Sequence, residues 1–425
     1  MATDAASFFE AYFRELGKRG IQFAILHGYE NLPEQMPSDI DFVVRNADLP
    51  GLLPLQREVA RKHGWFLVSV VQSKLYAQYS VFLDPEDPRR FIQLDACGHY
   101  VERGCFVLRD TQLLHNRRPC RSFNVPAPAG EFAYLLAKTL LKRKPLEPGF
   151  ARLRELWKSD PSGVEALFRK LVGPTSDSLD QWFKRPAVEW EQEFAAKIRV
   201  RTRFGPANLA REYLRALRRI VRPAGLHIAI LGPDGVGKST LIAQLALPCF
   251  GGVKQFHFRP GTLGKKSQGT VSNPHAETPR PLPASIAKIF YYFADHWLGW
   301  LLKTLPATVR RDLVIFDRSF EDILVDPRRY RLAGSSWLAR LLKKLLPSPD
   351  LTFVLDAEPE LVHARKPELE IAELGRQREV LRQLSAVTPR CHVISAAQSP
   401  EEVALAVQKA MIQFLAKRED QRRGG

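Results

Sequence analysis

The segment from Gly232 to Thr240, Gly-Pro-Asp-Gly-Val-Gly-Lys-Ser-Thr, satisfies the spacing G-x-x-x-x-G-K-[ST]. The chemistry of that spacing is the cradling of phosphate. Gly232, Gly235 and Gly237 let the backbone turn tightly and bring its N–H groups, with those of Val236 and Thr240, onto phosphate oxygens. Lys238 has the reach for β- and γ-phosphates, and the Ser239 hydroxyl suits Mg²⁺. A second group of chemically active types lies far upstream. Asp39 and Asp41 sit at i and i+2 of the run Ser38–Val44 and so face one side of a strand. Two carboxylates so placed repel unless a divalent cation or a proton sits between them. Asp95 ends the apolar run Phe91–Leu94 and supplies a third acid.

These residues need elements to hold them. Leu226–Leu231 is an apolar run of strand length, and Leu241–Leu247 continues a helix whose N-terminus favours an anion. Further strands are expected at Phe256–Thr262, ending in a basic turn with Arg259, at Leu313–Arg318, ending in Asp317 and Arg318, and at Leu351–Asp356 and Cys391–Ser395. A helix is expected from Pro359 to Arg365 and Lys366, and another to Lys417, opened by Ser399 and Glu402 as a capping box. Strands alternating with helices predict a parallel sheet, with the ligand at the strands' carboxyl ends. Upstream, Ser7–Lys18 reads as a helix and Phe23–Leu26 as a strand running into His27, Gly28 and Tyr29. Glu131–Lys142 is an amphipathic helix that Pro145, Pro148 and Gly149 break. Helices follow at Ala151–Lys158, Ser162–Leu171, Leu179–Lys184, Val188–Ile198 and Asn208–Val221, the last capped by Asn208. The fold class is therefore α/β: a parallel sheet with flanking helices over 223–425, after an α+β domain over 1–127 and a basic helical subdomain over 128–222.

The chain of 425 residues carries a net charge of +17, with ordinary hydrophobic (45%) and charged (26%) content for a globular protein. From Glu131 to Arg222 there are 20 Lys/Arg against 11 Asp/Glu, and nine of those basic residues fall between Lys197 and Arg222. Such a charge suits acidic partners, whether phosphorylated substrates or an anionic membrane face met by the helix before Arg222. Nucleic acid is not expected, since no aromatic-basic repeat, zinc-finger spacing or recognition helix is present. Five scattered cysteines without a C-x-x-C pair suit a reducing cytosol. The N-terminus has no basic n-region and no apolar h-region, so no secretory signal is expected. The apolar stretch Ile286–Leu302 is interrupted by Lys288, Asp295 and His296 and reads as a buried or groove-lining helix, not a span. A cytoplasmic protein follows, with contact to the inner membrane face and homodimerisation both compatible with the sequence.

Two resemblances follow from these motifs. A strand ending at Gly28-Tyr29, a nine-residue spacer, Asp39-x-Asp41 and a later Asp95 together resemble the nucleotidyltransferase superfamily over about the first 125 residues. That resemblance implies two Mg²⁺ ions at Asp39, Asp41 and Asp95 polarising a nucleoside triphosphate. It departs at Tyr29, where the family has a small Gly or Ser. Residues 226–416 resemble the thymidylate-kinase branch of the P-loop nucleoside monophosphate kinases, by the phosphate loop with its acidic Asp234, by Arg259-Pro-Gly-Thr262, by Asp317-Arg318 and by Arg365. This implies ATP and Mg²⁺ as cofactors, Lys238 and Ser239 on the donor with Asp317 assisting the metal, and Arg259 and Arg318 on the acceptor. It also implies Arg365, with Lys366, Arg376 or Arg378 beside it, closing over the transferring group, and Asp234 accepting from an acceptor hydroxyl. The departures bear on the acceptor. No Glu follows Arg259, a polar insertion runs from Leu263 to Pro283, and Asp326, Arg328, Arg329 and Tyr330 replace the segment that reads thymine.

The expected function is ATP- and Mg²⁺-dependent phosphoryl transfer to a nucleoside monophosphate, a sugar or another phosphometabolite, with the N-terminal domain accessory. A second reading makes the N-terminal domain a nucleotidyltransferase adding a nucleoside monophosphate to a small molecule or protein, with the phosphate loop as nucleotide sensor. A third is a non-enzymatic scaffold binding membrane or polyanion through Lys197–Arg222.

Overall fold

A computed structural model describes residues 5–36, 39–264, 278–334 and 336–422. The chain divides into two compact units, residues 1–218 with 415–425, and residues 219–414. The core of the inserted segment Leu263–Pro283 lies outside the described residues.

The first unit is built on a mixed five-stranded sheet. Its strands are β1 (Phe23–Ile25), β2 (Ile40–Val44), β3 (Phe66–Val71), β4 (Ala77–Leu83) and β5 (Phe91–Cys97), in the order β1-β2-β5-β4-β3. Two small hairpins follow, β6 (Tyr100–Glu102) with β7 (Cys105–Leu108) and β8 (Arg118–Cys120) with β9 (Phe123–Val125). Helices α1 (Ala5–Lys18), α2 (Leu52–Lys62) and α3 (Asp110–Leu114) belong to this part. Apolar residues of α1 at helical spacing, Phe8, Phe9, Tyr12, Phe13 and Leu16, pack with Phe42 and Phe82 of the sheet, each burial stabilising by about 1.5–3 kcal/mol. Only β2 and β5 run parallel, and their register sets Asp41 directly opposite Asp95.

The helices after the sheet are α4 (Pro128–Lys142), α5 (Glu147–Ser159), α6 (Pro161–Val172), α7 (Leu179–Trp182), α8 (Ala187–Thr202) and α9 (Pro206–Val221). Helix α4 is the hinge between two chemistries. Phe132, Ala133, Leu136, Leu140 and Leu141 join a core that runs on through Phe168, Trp190 and Phe194, whereas Lys138 and Lys142 line a pocket. Pro148 and Gly149 do not break the chain here. They fall in the first turn of α5, where a missing N–H costs nothing. Asn208 is not a cap, because α9 begins two residues earlier and its Oδ1 accepts from Tyr76 Oη at 2.9 Å.

The apolar side of helix α9 is the open one, with Leu209, Tyr213, Leu214, Leu217, Ile220 and Val221 all exposed. Two of its arginines are engaged. Arg211 Nη1 donates to Tyr76 Oη at 2.8 Å and Arg215 Nη1 to the Gln72 carbonyl at 3.0 Å.

The second unit is a parallel sheet of five strands: β10 (Leu226–Leu231), β11 (Val253–His257), β12 (Leu313–Asp317), β13 (Leu351–Asp356) and β14 (Cys391–Ser395), ordered β11-β12-β10-β13-β14. The central strands β10 and β12 are buried along their whole length, which is why they read as unbroken apolar runs. The helices are α10 (Lys238–Ile242), α11 (Leu282–Gly299), α12 (Leu305–Val309), α13 (Asp322–Val325), α14 (Ser336–Lys343), α15 (Pro359–Arg365), α16 (Ile371–Val387) and α17 (Pro400–Arg422). Helix α10 is shorter than the run Leu241–Leu247 suggests. The Ser399–Glu402 capping box is present, with Ser399 N donating to Glu402 Oε2 at 2.9 Å and Glu402 N to Ser399 Oγ at 3.3 Å. The expectation of a buried or groove-lining helix at Ile286–Leu302 holds for one face of α11 only. Asp295 and His296 point inward, while Trp297 and Leu298, and Leu301 and Leu302 in the π-helical turn that follows, are exposed. No helix among the described residues is long and apolar enough to cross a membrane.

Candidate functional site

The parallel sheet brings its chemistry to one edge. The register pairs Asp317, the last residue of β12, with Ile230 on one side and His257 on the other. Just past β10 the phosphate loop turns, with Gly235 at φ 87° and Gly237 at φ 105°. Side chains other than glycine rarely adopt those angles. At Gly235 a Cβ would also lie 2.8 Å from Lys366 Cβ. The loop leaves Ser239 and Thr240 exposed. Lys238 is folded inward, its Nζ donating to the carbonyls of Gly232 and Pro233, each at 2.8 Å. Burial, and then the nearby Arg318 charge, lower the Lys238 ammonium to about 8.

Asp234 is the meeting point of the cations. Arg318 Nη2 and Arg329 Nη1 each bond one of its carboxylate oxygens, and Lys238 Nζ stands 3.7 Å away. Burial works against its ionisation, but Arg318, Lys238 and Arg329 outweigh burial and hold the carboxyl well below its usual range. Arg318 is itself fixed. It occupies left-handed backbone at φ 69°, a strained state for a residue with a side chain, and its Nη1 donates to Asp322 Oδ2 at 3.0 Å. Tyr330 Oη donates to the same Asp322 oxygen at 2.7 Å from within the aromatic core. The altered segment thus splits: Tyr330 supports Arg318, and Arg329 enters the site.

Asp317 brings a carboxylate to the same edge. Its Oδ2 lies 3.0 Å from His257 Nδ1, and its Oδ1 is buried with no hydrogen-bond partner. Burial opposes its ionisation, but the His257 bond and Lys238 keep the group low. An ionised carboxylate oxygen without a donor on Asp317 and an exposed Ser239 on the phosphate loop are donor types that fit Mg²⁺. The exposed loop N–H groups and Lys238 fit the phosphates of ATP.

Arg259 is held beside α11, its Nη1 donating to Tyr291 Oη at 2.9 Å and lying 3.4 Å from Asp295 Oδ2. Asp295 also accepts the N–H groups of Gly261, Thr262 and Leu263 at 2.9, 2.6 and 2.6 Å. Sequence reasoning missed it as a functional residue. Its signal was a carboxylate interrupting an apolar helix, which in a buried face must serve donors. Arg365 stands beside the phosphate loop. Its Nη1 donates to the Ala396 carbonyl at 3.1 Å, and it lines a cleft of about 710 Å³, counting its open mouth, with Gly235, Gly237, Thr240 and Gln398. Arg378 is bound to Asp356 at 2.6 Å and to Glu358, and Arg376 to Glu373 at 2.6 Å. These contacts occupy both arginines in ion pairs rather than over the phosphate loop.

In the first unit Asp39, Asp41 and Asp95 line one pocket. Among the described residues no group of three or more His, Cys, Asp or Glu side chains is placed to hold a metal ion. Lys138 Nζ and His27 Nε2 both reach Asp41 Oδ2, at 2.9 and 2.6 Å. Burial opposes ionisation of Asp41, but His27 and Lys138 overcome it and hold the carboxyl far below its usual range. Burial, and then the Asp41 charge, push Asp95 up to about 7. In this structure the cation on Asp41 is an ammonium of this chain. Tyr29 is buried, its Oη donating to Glu131 Oε2 at 2.8 Å and accepting from Arg152 Nη2 at 2.7 Å. It is part of a structural ion-pair network.

Comparison with known proteins places the second unit. The family model for thymidylate kinase matches residues 230–411. A thymidylate kinase of Xanthomonas euvesicatoria pv. vesicatoria is 32% identical over 148 residues, which cover 34% of this chain and 62% of that protein. A thymidylate kinase of Bifidobacterium longum subsp. infantis is 30% identical over 211 residues, covering 44% of this chain and 85% of that protein. A crystal structure of thymidylate kinase from Ehrlichia chaffeensis covers 44% of this chain and 98% of its own, at 19% identity and a TM-score of 0.31. The matched part contains the loop, the sheet edge and the convergent arginines just described: through residues 230–411 this chain belongs to the thymidylate kinase family of P-loop phosphotransferases.

Proposed function

We propose that the second unit transfers a phosphoryl group from ATP to the phosphate of a nucleoside monophosphate or of another phosphorylated acceptor. The observation that carries this reading is the convergence of Arg318, Arg329 and Lys238 on the single carboxylate of Asp234 at the mouth of the phosphate loop. Two guanidinium forks on one anion are the geometry that binds a phosphate. An acceptor phosphate would take the place of Asp234 in that clamp and leave the carboxylate to accept from the acceptor's hydroxyl. Mg²⁺, when bound by Ser239 and Asp317, neutralises the donor phosphates. Lys238 then exchanges two loop carbonyls for phosphate oxygens, and Arg259, oriented by Asp295 and Tyr291, adds charge on the acceptor side. Arg365 serves the donor's base side, where its cavity adjoins Gly235 and Thr240. In this reading the first unit is accessory.

The test is ATP turnover by the full chain against nucleoside monophosphates, sugars and sugar phosphates, in the wild type and in Lys238→Ala. Removing one preorganised charge-stabilising donor lowers kcat by roughly 10²- to 10³-fold. Turnover that survives Lys238→Ala undiminished would sink the assignment.

A further inference from the structure

The pocket of the first unit holds two opposed sets of charges. Asp41 and Asp95 come from the paired strands β2 and β5, and Asp39 lies immediately before β2. Against them stand three lysines from outside the sheet. Lys74 comes from the β3–β4 connection, and Lys138 and Lys142 come from one face of α4, four residues apart. Lys138 Nζ sits 2.9 Å from Asp41 Oδ2. The other two ammonium groups share a single carboxylate: Glu102 Oε2 lies 2.7 Å from Lys74 Nζ and 3.9 Å from Lys142 Nζ. The pocket opens to solvent, about 460 Å³ counting its open mouth, and Tyr100 and Tyr134 line it.

We propose that this pocket is a metal-independent binding site for a phosphorylated hydroxyl compound. Lys142 and Lys74 take the phosphate, Asp39 and Asp95 accept from the hydroxyls, and Lys138 holds Asp41 in place of a divalent cation. A dianionic phosphate matches two ammonium groups better than a carboxylate does, and carboxylates on the opposite wall select for hydroxyl donors. Such a site needs neither metal nor triphosphate.

The experiment is calorimetric titration of ribose 5-phosphate into the full chain in EDTA at low salt. The Lys238→Ala/Arg329→Ala double variant is used so that neither the phosphate loop nor the acceptor clamp of the other unit binds the probe. One site is expected, with an affinity that added Mg²⁺ does not raise. Lys142→Ala weakens binding at least about ten-fold, as for the loss of one charge-assisted hydrogen bond, and Lys142→Arg restores most of it. Melting temperatures show whether each variant is folded, and Lys142→Met is read instead if the alanine variant is not. Absence of binding, binding that requires Mg²⁺, or binding untouched by either neutral substitution at Lys142 overturns the proposal.

Discussion

In the second unit Asp317 ends a parallel strand with Oδ1 unpartnered and Oδ2 on His257. In the first unit Asp41 lies on a parallel-paired strand with Oδ2 claimed by Lys138 and His27. Both are strand acids with a lysine close by, and the lysine decides what each can do. Lys238 is turned into its own loop, bonded to the carbonyls of Gly232 and Pro233, so Asp317 keeps a free lone pair for a metal. Lys138 projects from α4 straight onto Asp41 and neutralises it. An Asp-x-Asp pattern therefore specifies where carboxylates face, and the neighbouring helix specifies whether they bind metal.

The largest effect expected from this contrast is on Asp317. Asp317→Asn keeps the shape and the His257 neighbour but removes the charge that would hold Mg²⁺. ATP turnover should fall roughly 10²- to 10³-fold, measured with saturating acceptor, and raising Mg²⁺ should recover part of it. Undiminished activity would mean that Asp317 is as fully neutralised as Asp41 and would erase the difference between the two clusters.

A smaller effect is expected at the clamp. Arg329→Ala removes one of the two guanidinium groups on Asp234, so the acceptor KM should rise about 10- to 100-fold with a lesser change in kcat. Steady-state kinetics with varied acceptor and fixed ATP separate the two parameters. If kcat falls while KM stays, Arg329 acts on the transferring group and not on acceptor binding.

Much of this was legible in the chain, and the illegible part has a physical pattern. The phosphate loop and the strands β10, β12 and β13 are local signals, apolar runs of strand length closed by Gly or Asp, whereas the strand expected at Phe256–Thr262 lies instead at Val253–His257 and is largely exposed. The pairing of Asp41 with Asp95 was legible too, since both end up in one pocket as their strands suggested. What escaped was charge compensation from other elements. Lys138 is 97 residues from Asp41, and on its own it reads as the polar face of an amphipathic helix. Asp295 looked like an interruption of an apolar helix until the turn at 261–263 was seen to donate three N–H groups to it. Helix α9 escaped for the same reason. Its amphipathic pattern showed two faces, but not that the arginine face would be the one bonded to carbonyls.

The smallest effect isolates the first unit alone. Asp95 is held protonated up to about 7 by burial and by the Asp41 charge, whereas an unfolded aspartate ionises near its ordinary 3.8. Between those values the unfolded state has lost a proton that the native state keeps, so ionisation favours U and stability falls as pH rises. The loss is complete once pH passes the folded value. Asparagine cannot ionise and does not share that decline. Relative to wild type, Asp95→Asn should therefore gain stability on the order of 1 kcal/mol from about pH 6 to about pH 8, read from urea melts of the full chain. A difference that stays flat with pH would mean that Asp95 is already ionised beside a cation. The first unit's acids would then resemble the metal-ready Asp317 after all, and the ammonium on Asp41 would not be the cation that matters.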